Sequence, residues 1–221
     1  MIFEDNHLVA ANKPAGLLTQ SDDSGRPSLE SQLREQHRFL HAVFRLDRVA
    51  SGLVLFARSS KALSRLGDQQ RRRQLHKTYL AIVAGTPPEA ATWEDLLVHD
   101  DYRARIDPSG KPAKLTFARI ASRKGYSLLS IELHTGRYHQ IRCQMAAHGH
   151  PIVGDTKYGS QIAKEGIALH HLHLQLMHPV RSTPLILTAP CGPMMAVLDG
   201  LFEQEAAHQA ADQPEPHFDI G

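Results

Sequence analysis

The sequence predicts an α+β domain in which a mostly antiparallel β-sheet carries a few helices. Short apolar or alternating segments, typical of strands, outnumber the segments with helical spacing. Many of these predicted strands are joined by short turns that contain Gly or Pro, and no internal repeat is present. Strands that follow one another through short turns favour a sheet with separate helices on it over alternating β-α-β units.

The first half of the chain begins with a strand that runs into a tight turn, because Pro14 fixes its own φ angle and Gly16 permits a positive one. Ser28 can then cap a short helix whose apolar residues, Leu29 and Leu33, are four positions apart. The elements predicted after it are a buried strand at 53–57, a helix with a basic outer face at 60–74, and an alternating strand at 77–85.

The second half is predicted to contain more strands than helices. The predicted elements, in order, are short strands and loops at 91–120 around the sequence DPSGKP, a strand at 126–134, a helix that stops at Gly149, a loop at 150–159, a strand at 169–179, a hairpin partner at 184–190 and a terminal helix at 193–207. In the helix before Gly149, Ile141 and Met145 mark the inner side. The spacing places His139 and Arg142 near one another on a neighbouring face.

Charge is distributed unevenly along the chain. The formal net charge is +2, but the residues after Arg181 carry six acids and neither Lys nor Arg, so residues 1–181 carry +8. Seven bases accompany one acid, Asp68, between Arg58 and Lys77. Such a basic stripe suits a polyanionic partner, although a solvated helix face would look the same. We expect an acidic, disordered tail at 205–221 and a folded domain at 1–204.

Other features of the composition restrict the class of protein. Two cysteines, Cys143 and Cys191, do not form a disulfide framework, which favours a reducing compartment. The N-terminus has acids where a signal peptide requires bases, and no apolar run approaches the roughly 20 residues of a membrane span. We therefore expect a soluble, cytoplasmic monomer with no membrane partner.

Three polar clusters carry residue types suited to chemistry: Arg45-Leu46-Asp47-Arg48 before the buried strand, Lys77 and Tyr79 on one side of a strand, and the segment 135–142 at a glycine turn that leads into a helix. Each cluster alone has a structural explanation, such as an ion pair or a packed tyrosine. Together, a basic body, a carboxylate with guanidinium partners and an aromatic platform are the parts needed to flip a nucleotide and act on it.

The histidines suggest a rival interpretation, a metal-dependent hydrolase. They cluster in the last third of the chain, at His148, His150, His170, His171, His173 and His178. The two cysteines lack metal-ligand spacing and no HExxH sequence occurs. We therefore expect no metal, and we expect these histidines to lie near RNA phosphate.

Five segments in this order resemble the RNA pseudouridine synthases of the RluA type: NKPAGLLT, RLDRVASGLVLFARS, KTYLAIVAG, HTGRYHQIRCQMAAHGHPIVGDTKYG and LHHLHLQLMHP. The resemblance covers roughly residues 1–190. It implies the pseudouridine synthase fold, a mixed and mostly antiparallel central sheet flanked by helices and loops. Because the match begins almost at Met1, we also expect the short branch without an S4 RNA-binding domain.

The resemblance implies a role for individual residues. Asp47 is at the position of the catalytic aspartate, and Arg142 at that of the arginine that pairs with it. Arg45 matches an arginine that enters the RNA stack, Tyr79 the tyrosine that stacks on the target base, and Ile141 a residue that lines the base pocket. Further possible RNA contacts are Lys13, Arg48, Lys77, Arg137 and His139.

The implied reaction is the isomerisation of uridine to pseudouridine in structured RNA, tRNA, rRNA or both. It involves no net redox change, so no cofactor is expected, and Asp47 would act as nucleophile or as base at the sugar. The chain departs from the family at Phe44, commonly histidine, at Ala50, commonly threonine, and at His171, commonly alanine. Because Phe44 and Ala50 remove polar groups beside Asp47, a non-catalytic RNA-binding protein on the same fold is the alternative.

Overall fold

An eleven-stranded sheet organises the computed structural model, which describes residues 1–100, 102–161 and 166–191. The strands are β1 (Phe3–Glu4), β2 (Leu8–Lys13), β3 (His41–Ala42), β4 (Ser51–Ala57), β5 (His76–Ala84), β6 (Ala90–His99), β7 (Ala104–Ile106), β8 (Lys111–Arg123), β9 (Tyr126–Leu133), β10 (Leu169–Met177) and β11 (Pro184–Thr188). The helices are α1 (Leu29–Arg34), α2 (Ser60–Arg71) and α3 (Gln140–Ala147), with a 3-10 turn at Thr156–Tyr158. The predicted α+β class is confirmed.

The sheet is mixed but mostly antiparallel, as predicted. Its main strand order is β1-β2-β4-β10-β5-β9-β8-β6-β7, while β11 pairs with β10 and β3 with β4. Among the described strands, only β4 and β10 pair in parallel, and they do so at the centre of the sheet. The loop before β4 and helix α3, which follows β9, come into contact through Asp47 and Arg142.

Strand β4 is buried on both faces, which explains its continuous apolar sequence. Leu53 and Leu55 pack into the core under α2, together with Leu66 of that helix. Val54 and Phe56 point to the other face, where the second core cluster lies. The strand predicted at 53–57 is thus confirmed, and it gives the residues just before it a rigid support.

The prediction of short strands at 91–120 was wrong. Two long strands, β6 and β8, pair along most of their length, and the turn at Asp107–Gly110 connects β7 to β8 through a hydrogen bond from Gly110 N to Asp107 O of 2.9 Å. In β6 exposed residues alternate with half-buried ones, and in β8 the buried Ala113, Leu115 and Phe117 alternate with half-buried polar residues, so the apolar signal in the sequence is weak.

Two further elements differ from their predicted form. Helix α3 begins only at Gln140, because His139 adopts a left-handed φ of 50° and forms its N-cap. In β10 the predicted alternation through Leu172 is interrupted by a β-bulge between His171 and His173. The hairpin of β10 and β11 is confirmed.

The predicted terminal helix at 193–207 and the acidic tail at 205–221 lie outside the described residues. In the part of the chain that is described, no helix has both the length and the apolar character that a membrane crossing requires.

Candidate active site

A cleft of about 1070 Å³ opens where the three predicted polar clusters meet. The site residues predicted from the sequence that line it are Arg45, Asp47, Arg48, Lys77, Tyr79, Arg137, His139, Ile141 and Arg142. The exposed ones are Arg45, Arg48 and Arg137, whereas Tyr79, Ile141 and Arg142 are buried. Of the predicted set, only Lys13 is absent from the residues that line the cleft.

Asp47 and Arg142, 95 residues apart in the chain, form an ion pair in this cleft. Arg142 Nη1 donates to Asp47 Oδ2 over 3.0 Å, and the side chains are 5% and 27% exposed respectively. The arginine is thus buried, while the carboxylate remains open to the cleft. This arrangement holds the carboxylate in one orientation and still leaves oxygen surface for a ligand.

A second carboxylate, Asp155, holds the same guanidinium from the other side. Arg142 Nε and Nη2 donate to Asp155 Oδ2 and Oδ1 over 2.7 and 2.9 Å, and the Asp155 side chain is 1% exposed. Burial acts to lower the pKa of Arg142, but the two carboxylates outweigh it and raise that pKa above its usual value. Sequence reasoning missed Asp155, whose only signal was an acid in a glycine-rich loop.

Lys13 supports the loop that carries Asp47 from below, which corrects the expectation that it contacts RNA. Its side chain is fully buried, and its three N–H donors are shared among four carbonyl oxygens, those of Pro14, Leu17, Arg48 and Ala50, at 2.7 to 3.2 Å from Nζ. Burial lowers the pKa of this lysine to about 8. The ammonium ties the turn after β2 to the turn after Asp47.

Further hydrogen bonds fix the same loop. Thr19 Oγ1 donates to Leu46 O over 2.9 Å and accepts from Leu46 N at 3.1 Å. Ala50 N donates to Asp47 O over 3.1 Å and closes a tight turn just before β4. None of these bonds uses the side chain at position 50, so the apolar Ala50 does not weaken them. The segment NKPAGLLT therefore acts here as a clamp on the loop of Asp47.

His139 points into the protein, not towards solvent as an RNA-phosphate contact would. Its Nδ1 lies 3.0 Å from the Tyr158 hydroxyl and its Nε2 lies 3.7 Å from Asp47 Oδ2. Burial lowers the pKa of His139 to about 4, although the nearby Asp47 acts to raise it. The imidazole is therefore neutral at physiological pH and forms part of the wall beside Asp47.

Gln140, a residue that sequence reasoning missed, organises the turn before α3. Its Oε1 accepts hydrogen bonds from Thr135 Oγ1 at 2.7 Å and from Arg137 N at 3.0 Å. Its Nε2 donates to Lys114 O and to Gln144 Oε1. This amide thereby joins β8 to the start of α3, which holds Arg142 in register with Asp47.

Tyr79 forms one wall of the cleft and is backed by His171. The two rings stack with centroids 4.5 Å apart and planes 16° from parallel. His171 Nδ1 donates to Leu53 O over 2.7 Å, and burial lowers the pKa of this imidazole to about 3, so it is neutral. Histidine at this position therefore provides a rigid, uncharged support beneath the tyrosine.

The ring of Phe44 lies beneath Lys77. The Lys77 Nζ is 3.8 Å from the centroid of the Phe44 ring, and that ring is also in edge contact with His171 at 5.5 Å. Burial lowers the pKa of Lys77 to about 8. The replacement of the family's usual residue at position 44 thus affects the surroundings of Lys77.

The other histidines are not gathered in one place. His148 lies against Asp95, His170 against Ser51 and His178 against Asp5. Within residues 1–100, 102–161 and 166–191, no group of three or more His, Cys, Asp or Glu side chains is arranged to hold a metal ion.

Comparisons with known proteins identify the family of this chain. Residues 7–147 match the family described as RNA pseudouridylate synthase. An uncharacterized RNA pseudouridine synthase of Bacillus subtilis, YhcT, is 34% identical over 205 residues, which cover 86% of this chain and 68% of the relative. The dual-specificity RNA pseudouridine synthase RluA of Vibrio vulnificus is 35% identical, with 86% and 82% covered. The tRNA pseudouridine synthase C of Yersinia pestis is 33% identical, with 86% and 85% covered.

The fold is also that of solved pseudouridylate synthase structures. The human RNA pseudouridylate synthase domain containing 4 superposes with a TM-score of 0.75 at 22% identity, covering 88% of this chain and 89% of that one. The human domain containing 1 gives a TM-score of 0.73 at 22% identity. From its motifs, its fold and its curated relatives, the chain belongs to the RNA pseudouridine synthases of the RluA type and is an RNA-modifying isomerase.

Proposed function

We propose that this enzyme converts specific uridines to pseudouridine in structured RNA, with Asp47 as the catalytic carboxylate and the target base flipped into the cleft. The observation that carries the proposal is the Asp47–Arg142 ion pair of 3.0 Å inside a cleft that also holds Tyr79. Relatives named for tRNA and for the ribosomal large subunit support tRNA, rRNA or both as the substrate class.

The reaction requires the C1′–N1 bond of uridine to break, the base to turn and a C1′–C5 bond to form. Asp47 supports two routes. Its free oxygen can attack C1′ and form an ester that C5 later displaces, or it can remove a proton from the sugar and return it. In both routes Arg142 holds the carboxylate in place, and the reaction needs an ionised Asp47 at its start.

A flipped uracil would lie between the walls of the cleft. The buried Tyr79 side chain offers an aromatic face to the uracil, and Ile141 offers an apolar contact. The exposed guanidinium groups at Arg45, Arg48 and Arg137 line the cleft and are suited to the RNA backbone. In this proposal Arg45 would occupy the gap that the base leaves in the stack.

The test is tritium release from RNA labelled at uridine C5, since that hydrogen is lost when C5 bonds to the sugar. Wild-type protein is expected to release tritium, and Asp47→Asn, which keeps the shape but not the charge, is expected to release none above background. Equal release by both proteins would contradict the role of Asp47.

The substrate is identified by mapping pseudouridine in total RNA from cells with and without the gene. We expect sites that disappear from tRNA, from rRNA or from both, with the neighbouring RNA sequence unchanged. RNA binding without any lost site and without tritium release would instead support the alternative of a non-catalytic RNA-binding protein.

A further inference from the structure

We propose that Lys77 is a second catalytic residue, whose ammonium group binds a carbonyl oxygen of uracil and stabilises the negative charge on the base when the C1′–N1 bond breaks. This rests on the proposed function above, and it adds a group that acts on the base, whereas Asp47 acts at the sugar.

The position of Lys77 directs it to the base. Residues two apart on a strand point to the same face, so Lys77 lies beside Tyr79, the ring proposed to stack on uracil. Both side chains line the cleft, and Lys77 is half-buried there. The exposed arginines Arg45, Arg48 and Arg137 lie further out and are better placed for phosphate.

Within the described part of the chain, the ammonium of Lys77 has no ion pair and no hydrogen bond. Its one close partner is the Phe44 ring, whose face attracts a cation but accepts no hydrogen bond as an oxygen does. None of its three N–H donors is thus taken up by a described protein acceptor. A polar group held in this way is prepared for an acceptor that arrives with the ligand.

Neighbouring titratable groups do not neutralise this charge. On β10, His171 is neutral, and its Nε2 has no hydrogen-bond partner among the described residues. Asp47 pairs with Arg142, and Glu132 on β9 is 3.8 Å from both His76 and His134. Tyr79 is held uncharged because burial, and then the charge of Asp47, raise its pKa above the usual range.

The chemistry supplies the missing acceptor. When the C1′–N1 bond breaks, its electron pair leaves with N1, and the negative charge spreads over N1 and the carbonyl oxygens of uracil. Asp47 meanwhile bonds to C1′ or takes up the sugar proton. C5 then forms its bond to C1′ as the ester bond to Asp47 breaks or as Asp47 returns the sugar proton. C5 loses its hydrogen to solvent, and N1 gains a proton. Lys77 donates hydrogen bonds throughout and needs no redox partner, and a positive charge is of most use where negative charge develops.

The experiment compares single-turnover rates with RNA affinity. Lys77→Met keeps the apolar stem and removes the charge, so we expect tritium release from bound RNA to slow by about 100-fold, the usual effect of losing one such donor. RNA affinity and its salt dependence are expected to stay unchanged. Lys124→Met, on the exposed turn between β8 and β9, is the matched control and should change neither quantity.

The pH profile gives a readout that a merely structural role would not change. Because the pKa of Lys77 lies at about 8, kcat/KM of the wild type should fall as the pH rises through that value and the ammonium is lost. Lys77→Arg stays charged, so it should recover much of the rate and lose this alkaline limb. An alkaline limb that remains in Lys77→Arg would assign it to Lys13 and contradict the proposal.

Other outcomes separate the alternatives. Weaker RNA binding, with a salt slope shallower by about 0.9 and an unchanged bound-state rate, would make Lys77 a phosphate contact. Equal rates in wild type and Lys77→Met would also overturn the proposal. A wild-type protein that releases no tritium contradicts the proposed function itself, whereas an active wild type isolates the question of Lys77. Unfolding in urea establishes that each variant is folded.

Discussion

Arg142 is the residue on which the site depends, because it joins two carboxylates that differ in their surroundings. Asp155 is buried and receives two hydrogen bonds, whereas Asp47 receives one and faces the cleft. The buried acid fixes the plane of the guanidinium, so the direction in which Nη1 points is already determined before RNA binds. Preorganisation of this kind stabilises charge without a cost of rearrangement during the reaction.

Substitution of Asp155 should therefore affect both stability and catalysis. We expect Asp155→Asn to lower the free energy of unfolding by about 3 kcal/mol, because it leaves a buried guanidinium incompletely paired. The single-turnover rate should fall by about 100-fold, since a small displacement of a reacting group has an effect of that size. Urea denaturation and tritium release measure the two effects.

Asp95→Asn is the matched control for that variant. Asp95 also contacts α3, through Gln144 and His148, but it lies outside the cleft. Its loss should leave the rate on bound RNA unchanged. A rate for Asp155→Asn equal to that of Asp95→Asn would show that the second carboxylate has no part in positioning Arg142.

At the scale of elements, β4 and β10 approach one another closely at Gly52. Gly52 has a φ of +115°, and a Cβ atom there would lie 2.4 Å from the backbone N and O of His171. We expect Gly52→Ala to destabilise the protein by more than about 4 kcal/mol, an unusually large effect for one methyl group. The measurement is the free energy of unfolding in urea.

Gly125→Ala separates this clash from backbone strain. Gly125 also has a positive φ, of +80°, but open space surrounds the position of its Cβ. Its substitution should cost only about 1 kcal/mol, the usual penalty of a left-handed conformation. Equal losses for the two variants would mean that the contact between β4 and β10 is not the cause.

Another link between elements predicts a response to acid. Burial acts to raise the pKa of Asp5, but hydrogen bonds from the backbone of His7 and Leu8, and then from His178 after β10, outweigh it and lower that pKa below 3.8. Because the pKa is lower in the folded state, the Asp5 carboxylate stabilises the fold at pH values above its unfolded-state pKa of about 4. This stabilisation is lost as the pH falls through the folded-state pKa.

As the pH is lowered from 6 to 2.5, the urea midpoint of Asp5→Asn should therefore fall less steeply than that of the wild type. Asp23→Asn, in an exposed loop, is the control and should follow the wild-type curve. Parallel curves for Asp5→Asn and wild type would contradict a stabilising role for this carboxylate.

Much of the fold could be predicted from the sequence, because β4, α2, β5 and β10 carry strong apolar patterns. The pattern failed in β6 and β8, where exposed polar residues dilute it. In the site, motifs brought Asp47 and Arg142 together, but they could not show that Asp155 shares the guanidinium. Nor could they show that Lys13 is buried and that His171 supports Tyr79. Such contacts join residues far apart in the chain and depend on how the loops pack.

For the whole molecule, the uneven charge predicts that the basic residues at the end of α2 bind RNA. Helix α2 reaches the cleft, since Gln70 near its end is among the lining residues, and Arg72 and Arg73 beyond it are exposed. We expect Arg72→Gln with Arg73→Gln to weaken RNA binding and to make its salt dependence shallower, by up to about 0.9 per cation that meets a phosphate. Titrations at several salt concentrations measure this.

The rate on saturating RNA should be unchanged in that double variant, because neither arginine lies near Asp47 in the cleft lining. Lys124→Gln, on the exposed turn between β8 and β9, is the control for a general loss of charge. An unaltered salt slope in the double variant would assign the basic stripe, defined as the bases from Arg58 to Lys77, to solvation alone.

The parallel contact at the centre of the sheet has a consequence for how the chain reaches its native state. β4 pairs with β10, and its partner residues, Ser51 with His170 and Gly52 with His171, are 119 residues apart in sequence. Contacts of such long range close late and slow folding, because a large loop must be ordered first. During synthesis the apolar edge of β4 stays unpaired until β10 has left the ribosome. Mutations that weaken this pairing should therefore reduce the yield of folded enzyme in cells more than they reduce the activity of each folded molecule.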